Sequence, residues 1–469
     1  MNDDTANERL RQLPAVEKVL SDARLQEVLA RVHRRMALRV VRDYLDEVRS
    51  RVLAGEDVGF QPQELRDRLT AQVRPTLTRA INGLGVALHT GLGRAPLAKV
   101  AQEALHEVSE HFSVLEIDLD TGRRGSRYRH VEPLLCELTG AEAAMVVNNN
   151  CAATLLILTV LAQGREVIVS RGQLIEIGGS FRIPEVMRQS GCRMVEVGTT
   201  NRTHLRDYQN AITPATAVLL RVHTSNYRIV GFTKEVTLAE LVALGSKHNI
   251  PVVDDLGSGA LLDLSRFGLP KEPLVQESIA TGADVVCFSG DKLIGACQAG
   301  IIVGRKRFID QCKRHPLTRA LRCDKLTYAV LERTLELFLD EERVVAEHPL
   351  LKILLKPQEQ LHQAAAELVQ AVEPQVQPHA QLMVRATLAE VGGGSLATES
   401  LPSVAVAVKP RTLPVAELAR RLRYYRPPVF GRIANDELLL DLRTIRTDEL
   451  PIVAQALRAC LASQSALPG

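Results

Sequence analysis

The chain has 469 residues, 46% of them apolar and 24% charged, which is typical of a globular protein with two or three domains. Its net charge of +3 is too small to indicate a nucleic-acid partner, and no apolar run reaches the roughly 18 residues of a membrane span. The cysteines form no CxxC pair or Cys/His cluster, and the polar N-terminus lacks a signal-peptide pattern. We therefore expect reduced thiols, no metal site and a cytoplasmic location.

Residues 1–80 are predicted to form a helical N-terminal domain, because their apolar residues recur three to four apart. Within it, residues 28–42 contain several arginines and no acid. The spacing predicts that one helical face carries the following arginines: Arg31, Arg35, Arg39 and Arg42. Such a face can bind the phosphates of a nucleic acid, but it can equally be an ordinary solvated surface in a domain whose charges nearly balance.

A glycine-rich segment, residues 81–94, follows this helical part and ends at Arg94. It lacks the GxGxxG spacing of a dinucleotide fingerprint, and no strand of a βαβ unit precedes it. We interpret it as a loop that presents Arg94.

The predicted order along the rest of the chain is a large α/β domain, residues 81–330, and a small α+β domain, residues 331–469. From about residue 141 to residue 304, short β-branched runs alternate with helical stretches, which indicates a mostly parallel sheet covered by helices on both faces. The run Gly300–Gly304 comes too soon after the preceding strand for a helical crossover, so we expect it to pair antiparallel.

The run Ala283–Phe288 is predicted to be a buried strand that ends at Ser289, with Lys292 three residues further on. Burial against an apolar sheet end lowers the pKa of a lysine and makes it a usable amine nucleophile. Enzymes of the aspartate-aminotransferase fold hold pyridoxal 5'-phosphate (PLP) as a Schiff base on a lysine in this setting. An SxxK motif alone also fits a surface lysine or a penicillin-binding serine acylase, but the KTG and SxN elements of the latter are missing.

Two other predicted strand ends carry residues that suit PLP. The turn Asn149-Asn150-Cys151 leads from a strand into a helix, whose free N–H groups can hold the cofactor phosphate, although an ordinary Asn cap fits as well. The strand Pro251–Asp254 ends in two acids, and a carboxylate there can keep the pyridine nitrogen protonated. The distance to Gly259 favours Asp254 over Asp255; a helix cap or a metal site are the alternatives.

Arg319 and Arg322, shortly after the lysine, are predicted to lie on one face of a helix. Together with Arg94 they would suit an oxyanion such as phosphate through charge-assisted hydrogen bonds, unless they are solvated surface arginines.

Several longer motifs of the chain resemble those of one known protein family. INGLGVALHTGLGRAPL, VVDDLGSG, FSGDKLIGACQAGIIVGRK and, near the C-terminus, PPVFGRIANDELLLDLRT closely resemble the bacterial selenocysteine synthase (L-seryl-tRNA(Sec) selenium transferase) family, and the resemblance covers nearly the whole chain. It implies an α/β fold of the aspartate-aminotransferase type (PLP fold type I), with a helical N-terminal domain and a small α+β C-terminal domain. It also implies a homodecamer built as a pentamer of dimers, with active sites at the dimer interface.

The resemblance implies specific roles. Lys292 is the PLP lysine, and Arg94, Arg319 and Arg322 are the anion-binding arginines, which would orient the selenium donor, selenophosphate. Ser289 and the Asn149-Asn150-Cys151 turn stay assigned to the cofactor by their positions at the strand ends. The N-terminal domain contacts tRNA(Sec) charged with serine, which gives the arginine face at Arg31, Arg35, Arg39 and Arg42 an RNA role.

The predicted reaction is β-elimination of the seryl hydroxyl to give aminoacrylyl-tRNA, followed by addition of selenium at Cβ, with Lys292 as the base. Two other classes remain open from the sequence. One is a PLP-dependent lyase acting on a small phosphorylated amino compound, and the other is an RNA-binding protein without activity.

Overall fold

A computed structural model describes residues 3–73, 75–179, 181–396 and 399–462 of the chain. The N-terminal part contains only helices: Asp3–Gln12 (α1), Val16–Leu20 (α2), Gln26–Leu29 (α3), Arg34–Leu53 (α4) and Pro62–Gln72 (α5). Its longest helix, α4, buries apolar side chains three or four positions apart, from Ala37 to Val52, against the other helices. These residues form a core of their own, which is how so short a segment folds as a helical unit.

The next segment begins with a short strand, Ile81–Gly83 (β1), and then builds the large domain. Its strands are Ala143–Val147 (β2), Glu166–Ser170 (β3), Glu176–Ile177 (β4), Phe181–Arg182 (β5), Arg193–Val197 (β6), Thr216–Val222 (β7), Val252–Gly257 (β8), Val285–Ser289 (β9) and Gly300–Gly304 (β10). Its helices are Lys99–Glu110 (α6), Glu132–Thr139 (α7), Asn150–Ala162 (α8), Ile183–Gln189 (α9), Leu205–Ala211 (α10), Leu238–His248 (α11), Val275–Thr281 (α12), Lys306–Arg314 (α13), Leu317–Leu321 (α14), Lys325–Leu337 (α15), Glu341–Glu347 (α16) and Pro349–Leu354 (α17).

Seven strands form the central sheet in the order β2-β10-β9-β8-β7-β3-β6. All neighbouring pairs are parallel except those of β10, which runs antiparallel to both β2 and β9, as the sequence predicts. Apart from the edge strand β6, which is mostly exposed, the strands are almost entirely buried between the helices, so the apolar runs read from the sequence form the core of the domain. β4 and β5 form a separate hairpin.

The C-terminal domain has a five-stranded sheet, β1-β13-β14-β12-β11, with helices packed on it. Its elements are Gln358–Val376 (α18), Ala380–Glu390 (β11), Ser400–Pro410 (β12), Val415–Tyr424 (α19), Val429–Ala434 (β13), Glu437–Asp441 (β14) and Leu450–Ala462 (α20). Since β1 pairs parallel with β13 and Ile81 lies in this domain's core, residues 81–83 belong here rather than to the large domain.

The predicted boundary at residue 331 falls inside α15, and it is therefore misplaced. Tyr328, Leu331 and Leu335 of this helix are buried in the core of the large domain, where α15 packs along α6. None of the described helices is long and apolar enough to cross a membrane.

Candidate active site

A cavity of about 640 Å³ lies at the carboxyl edge of the central sheet, where ligands bind in open α/β sheets. The strands β2, β7, β8 and β9 all end there, because parallel strands present their carboxyl ends at one edge. The cavity thus collects the polar residues that follow these four strands.

Lys292 lies in the turn after β9 and points into this cavity. Its Nζ donates hydrogen bonds to Ser289 Oγ at 2.7 Å and to the carbonyl oxygen of Gly257 at 3.2 Å. Burial lowers the pKa of Lys292; nearby Arg94 lowers it further, while Asp291 and Asp255 raise it. The amine therefore has the desolvated setting that favours its neutral, nucleophilic form.

The two acids of β8 point in opposite directions, as consecutive residues of a strand must. Asp255 lines the cavity, where its carboxylate accepts hydrogen bonds from Asn150 Nδ2 at 2.8 Å and Thr154 Oγ1 at 2.9 Å, and burial raises its pKa. Asp254 is fully buried on the other face of the strand, bonded to Arg221 at 2.8 Å and Ser278 at 2.7 Å.

The preference for Asp254 as the cofactor partner is therefore corrected, because the carboxylate that faces the cavity belongs to Asp255. The distance to Gly259 carried no information about which face of the strand each acid occupies. The residue that distinguishes the two acids is Arg221, which interrupts the apolar strand β7 and lies beside Asp254 once the parallel register is known. A largely desolvated guanidinium such as that of Arg221, 19% exposed, is stabilised by an acid on its own side of the sheet.

The turn Asn149-Asn150-Cys151 starts helix α8 and lines the cavity with all three residues. Asn149 caps the helix by accepting from the N–H of Ala152 at 2.8 Å, so the ordinary cap and the cavity position coexist. Burial raises the pKa of the Cys151 thiol. The first N–H groups of the helix have no partner within it and face a site where an anion is favoured.

Arg94 reaches the cavity from the glycine-rich loop, where it adopts a positive φ of 69° directly after Gly93. Its guanidinium donates to the carbonyl oxygen of Gly393 at 2.9 Å and lies 3.4 Å from a carboxylate oxygen of Asp291. The residue therefore joins the turn that carries Lys292 to a loop of the C-terminal domain.

That loop approaches Lys292 closely at Gly394. The backbone φ of +87° favours glycine, and a Cβ at this position would lie 2.7 Å from Cε of Lys292, so a side chain here would displace the lysine. The sequence reading missed this contact, since Gly392-Gly393-Gly394 looks like an ordinary turn between two strands.

Arg319 and Arg322 do not line the cavity of their own chain, contrary to the expectation that they join Arg94 there. Both are exposed, and helix α14 ends at Leu321, so Arg322 lies beyond the helix in extended backbone paired with Val147. The helix predicted to carry both arginines therefore ends one residue earlier than expected, and the two do not share a helical face.

The basic face of the N-terminal domain is present in part. Arg35, Arg39 and Arg42 lie exposed on α4 and make no ion pair with any residue that the structure describes. Arg31 precedes the helix, because the ring of His33 accepts a hydrogen bond from the Arg35 N–H and so caps the start of α4. The guanidinium of Arg31 lies 3.7 Å from a carboxylate oxygen of Glu27. The prediction of one helical face thus holds for three of the four arginines.

A histidine that the sequence reading did not select, His223, also lines the cavity directly after β7. Its Nε2 lies 3.3 Å from a carboxylate oxygen of Glu272, which is buried. The available signal was its position at the end of a predicted strand next to those of Asp255 and Lys292.

Comparison with known proteins identifies the family. A sequence profile described as L-seryl-tRNA selenium transferase matches residues 80–446, and one described as selenocysteine synthase N terminal matches residues 10–49. The chain belongs to the L-seryl-tRNA selenium transferase family. The resemblance read from the sequence motifs is thereby confirmed.

Two curated members of the family match the chain over nearly its full length. The L-seryl-tRNA(Sec) selenium transferase of Geobacter sulfurreducens is 48% identical over 95% of this chain and 98% of its own. That of Carboxydothermus hydrogenoformans is 48% identical over 94% of this chain and 95% of its own.

Among solved structures, D-glucosaminate-6-phosphate ammonia-lyase matches with a TM-score of 0.55 over 82% of this chain and 96% of its own. At 20% identity this likeness concerns the fold alone. With the strand order of the central sheet, it confirms the predicted fold-type-I large domain.

Proposed function

We propose that this member of the selenium transferase family converts L-seryl-tRNA(Sec) to L-selenocysteinyl-tRNA(Sec), with PLP as cofactor and selenophosphate as selenium donor. The observation that carries the proposal is the setting of Lys292, a desolvated amine bonded to Ser289 inside the cavity of a chain whose curated relatives carry this activity in their names. A cytoplasmic location fits, because all eight cysteines are free.

The cavity residues fit PLP. The helix α8 terminus and Ser289 offer donors for its phosphate, Asp255 offers a carboxylate for its ring nitrogen, and Lys292 offers the amine. The Oδ1 of Asn150 is buried without a hydrogen-bond partner among the described residues, so a bound group can satisfy it. When bound, PLP supplies an electron sink for carbanion chemistry at the substrate Cα.

Lys292 is the group placed to move the Cα proton. In its neutral form the amine accepts this proton, and the lowered pKa favours that form. The hydrogen bonds from Asn150 and Thr154 fix the carboxylate of Asp255, which would thereby hold the protonated ring nitrogen of PLP in place. The ester to tRNA occupies the substrate carboxyl, and a carboxylate-binding arginine is not needed.

Of the three arginines predicted to bind the selenium donor, Arg94 is the one that lines the cavity, and its cation suits an oxyanion such as selenophosphate. Arg319 and Arg322 lie outside the cavity on an exposed segment, so we propose that they serve the cavity of a second copy. This agrees with a homo-oligomer with active sites between subunits, of which a decamer built from five dimers is the proposed form.

The N-terminal domain is the proposed tRNA-binding element. Arg66 and Arg68 of this domain are each paired with an acid at 2.7 Å. By contrast, Arg35, Arg39 and Arg42 are unpaired among the described residues, and these cations are free to contact phosphates. Arg31 has Glu27 nearby and is the weakest member of the predicted set.

The test is to incubate the enzyme with selenophosphate and either seryl-tRNA(Sec) or seryl-tRNA(Ser), and to identify the amino acid released from each tRNA afterwards. We expect selenocysteine from tRNA(Sec) and unchanged serine from tRNA(Ser). Serine recovered unchanged from both would refute the proposal, and cleavage of a small phosphorylated amino compound by the same preparation would favour a lyase instead.

A further inference from the structure

The contact between His223, which lines the cavity, and Glu272, which lies behind it, forms a second polar unit, apart from the residues assigned to PLP and to the selenium donor. The side chain of His223 is 20% exposed, and its Nε2 lies 3.3 Å from Oε2 of Glu272, which is 6% exposed. Among the described residues that line the cavity, His223 is the one imidazole. Glu272 stands behind it, outside the lining.

Glu272 is held in place from two other sides. Ser258 Oγ donates to its Oε2 at 3.0 Å, and the backbone N–H of Leu396 donates to its Oε1 at 3.2 Å. A buried carboxylate so restrained can fix the orientation and tautomer of a histidine, as it does in other enzymes that use imidazole. Glu272 therefore favours a proton on Nε2 of His223.

The backbone of His223 is fixed as well. Its N–H donates to the carbonyl oxygen of Asp255 at 2.8 Å, and its carbonyl accepts from the N–H of Ser225 at 3.0 Å. Nε2 and Glu272 are at ion-pair distance without a well-aligned hydrogen bond. The other ring nitrogen of His223, Nδ1, has no hydrogen-bond partner among the described residues.

The reaction needs a proton donor that the assigned residues do not provide. Hydroxide is a poor leaving group, while Lys292 is occupied with the Cα proton, Asp255 accepts two side-chain hydrogen bonds, and Asp291 faces Arg94. Burial raises the pKa of the Cys151 thiol and makes it a poorer acid. Glu185, the remaining acid of the lining, lies 3.7 Å from the guanidinium of Arg182. An imidazolium in the same cavity is the group with the appropriate chemistry.

We propose that His223, oriented by Glu272, protonates the departing seryl hydroxyl. The Cβ–O bond breaks as the oxygen takes the proton from Nδ1 and leaves as water. The electrons of the former Cα–H bond form the Cα=Cβ bond, and Lys292 keeps the Cα proton. His223 ends neutral with its Nε2 proton still directed at Glu272, which is a positioning residue. This inference rests on the proposed function.

The experiment compares two leaving groups in the full-length, PLP-loaded enzyme. His223→Asn is assayed with seryl-tRNA(Sec) and with β-chloroalanyl-tRNA(Sec), whose chloride departs without a proton. We expect elimination from the seryl substrate to fall by about 10²–10⁴-fold, the usual contribution of general acid catalysis, with the chloro substrate nearly unaffected. Exchange of the Cα proton with deuterated solvent, which depends on Lys292, should persist.

The second readout does not depend on turnover. PLP affinity, measured by titrating its visible absorbance, should equal the wild-type value in His223→Asn and in Glu272→Gln, which also confirms that both variants fold. Glu272→Gln should give a smaller, seryl-selective loss. His223→Gln is the backup variant.

Equal losses with both leaving groups, or weakened PLP binding, would overturn the role of His223. Wild-type enzyme that leaves seryl-tRNA(Sec) unchanged would refute the proposed function and this inference with it. Wild-type turnover with an unaffected His223→Asn variant would refute the inference alone.

Discussion

Arg94 and Asp291 lie 3.4 Å apart and place one charge of each sign beside Lys292. Burial is the main cause of the lowered pKa of that lysine; Arg94 lowers it further, whereas Asp291 raises it. Because the two residues belong to different loops, their ion pair couples the glycine-rich segment to the turn after β9 and sets the charge balance at the reacting amine.

Replacing these two residues should therefore move the pKa of Lys292 in opposite directions. Arg94→Met removes a cation, so the pKa should rise and the neutral amine should appear only at higher pH. Asp291→Asn removes an anion, so the pKa should fall. Competitive acetylation of cofactor-free protein across pH, read by mass spectrometry of the Lys292 peptide, measures both. Shifts of the same sign in the two variants would contradict this charge arrangement.

Asp254 and Asp255 should separate stability from activity. Asp255→Ala removes the carboxylate in the cavity, so turnover should collapse while the fold persists. Asp254→Ala leaves Arg221 without its buried partner, which should cost about 3–5 kcal/mol of unfolding free energy with a smaller direct effect on chemistry. Denaturant unfolding measures the free energy of unfolding of each variant, and kcat, calculated for the folded fraction, measures its activity. A greater loss of kcat for Asp254→Ala would make Asp254 the cofactor partner after all.

The sequence predicts which residues lie at the cavity edge of the sheet, but not the side of the strand that each of these two acids occupies. Lys292, Ser289 and the Asn149-Asn150-Cys151 turn were predictable, because each follows a buried strand and parallel strands end at one edge. The side of the strand on which each acid lies depends on its neighbours across the sheet, and Arg221 selects Asp254 only once the register is known.

Contacts between distant parts of the chain were also hidden in the sequence. The approach of Gly394 to Lys292 joins residues about a hundred positions apart, and the contact of His223 with Glu272 joins two loops of one domain. Neither follows from local periodicity. The helix limit at Leu321, which separates Arg319 from Arg322, depends on the pairing of Arg322 with Val147.

The basic face of α4 should govern tRNA affinity. Changing Arg35, Arg39 and Arg42 together to Gln should weaken binding of tRNA(Sec) and reduce the slope of log K against log salt by about 0.7–0.9 for each phosphate that is no longer neutralised. The matched control changes Arg49, Arg51 and Arg66, which already pair with acids at 2.5–2.8 Å. Filter binding at several salt concentrations gives both slopes. If the two triple variants weakened tRNA binding equally, the arginine face of α4 would be an ordinary solvated surface.

Arg319 and Arg322 should act on a cavity other than their own. If so, Lys292→Ala and the double variant Arg319→Ala, Arg322→Ala should each be inactive alone, yet regain activity when their subunits are mixed by dissociation and reassembly. A mixed pair contains one cavity with an intact Lys292 and intact arginines from the neighbour. Mixing Lys292→Ala with a chain that carries all three changes is the control, since it restores no complete site. Absence of recovery in the first mixture would place all these residues in one chain.

The central claim is that the amine of Lys292 carries out chemistry on a seryl group attached to tRNA(Sec). The direct measurement is the identity of the amino acid on tRNA(Sec) after incubation with PLP, selenophosphate and one of three enzymes: wild type, Lys292→Ala or Lys271→Ala. Lys271, a surface lysine paired with Glu277, serves as the control position. We expect selenocysteine with wild type and Lys271→Ala. With Lys292→Ala we expect serine alone, and the visible cofactor absorbance of this variant should be lost. Selenocysteine formed at the wild-type rate by Lys292→Ala would contradict the central claim.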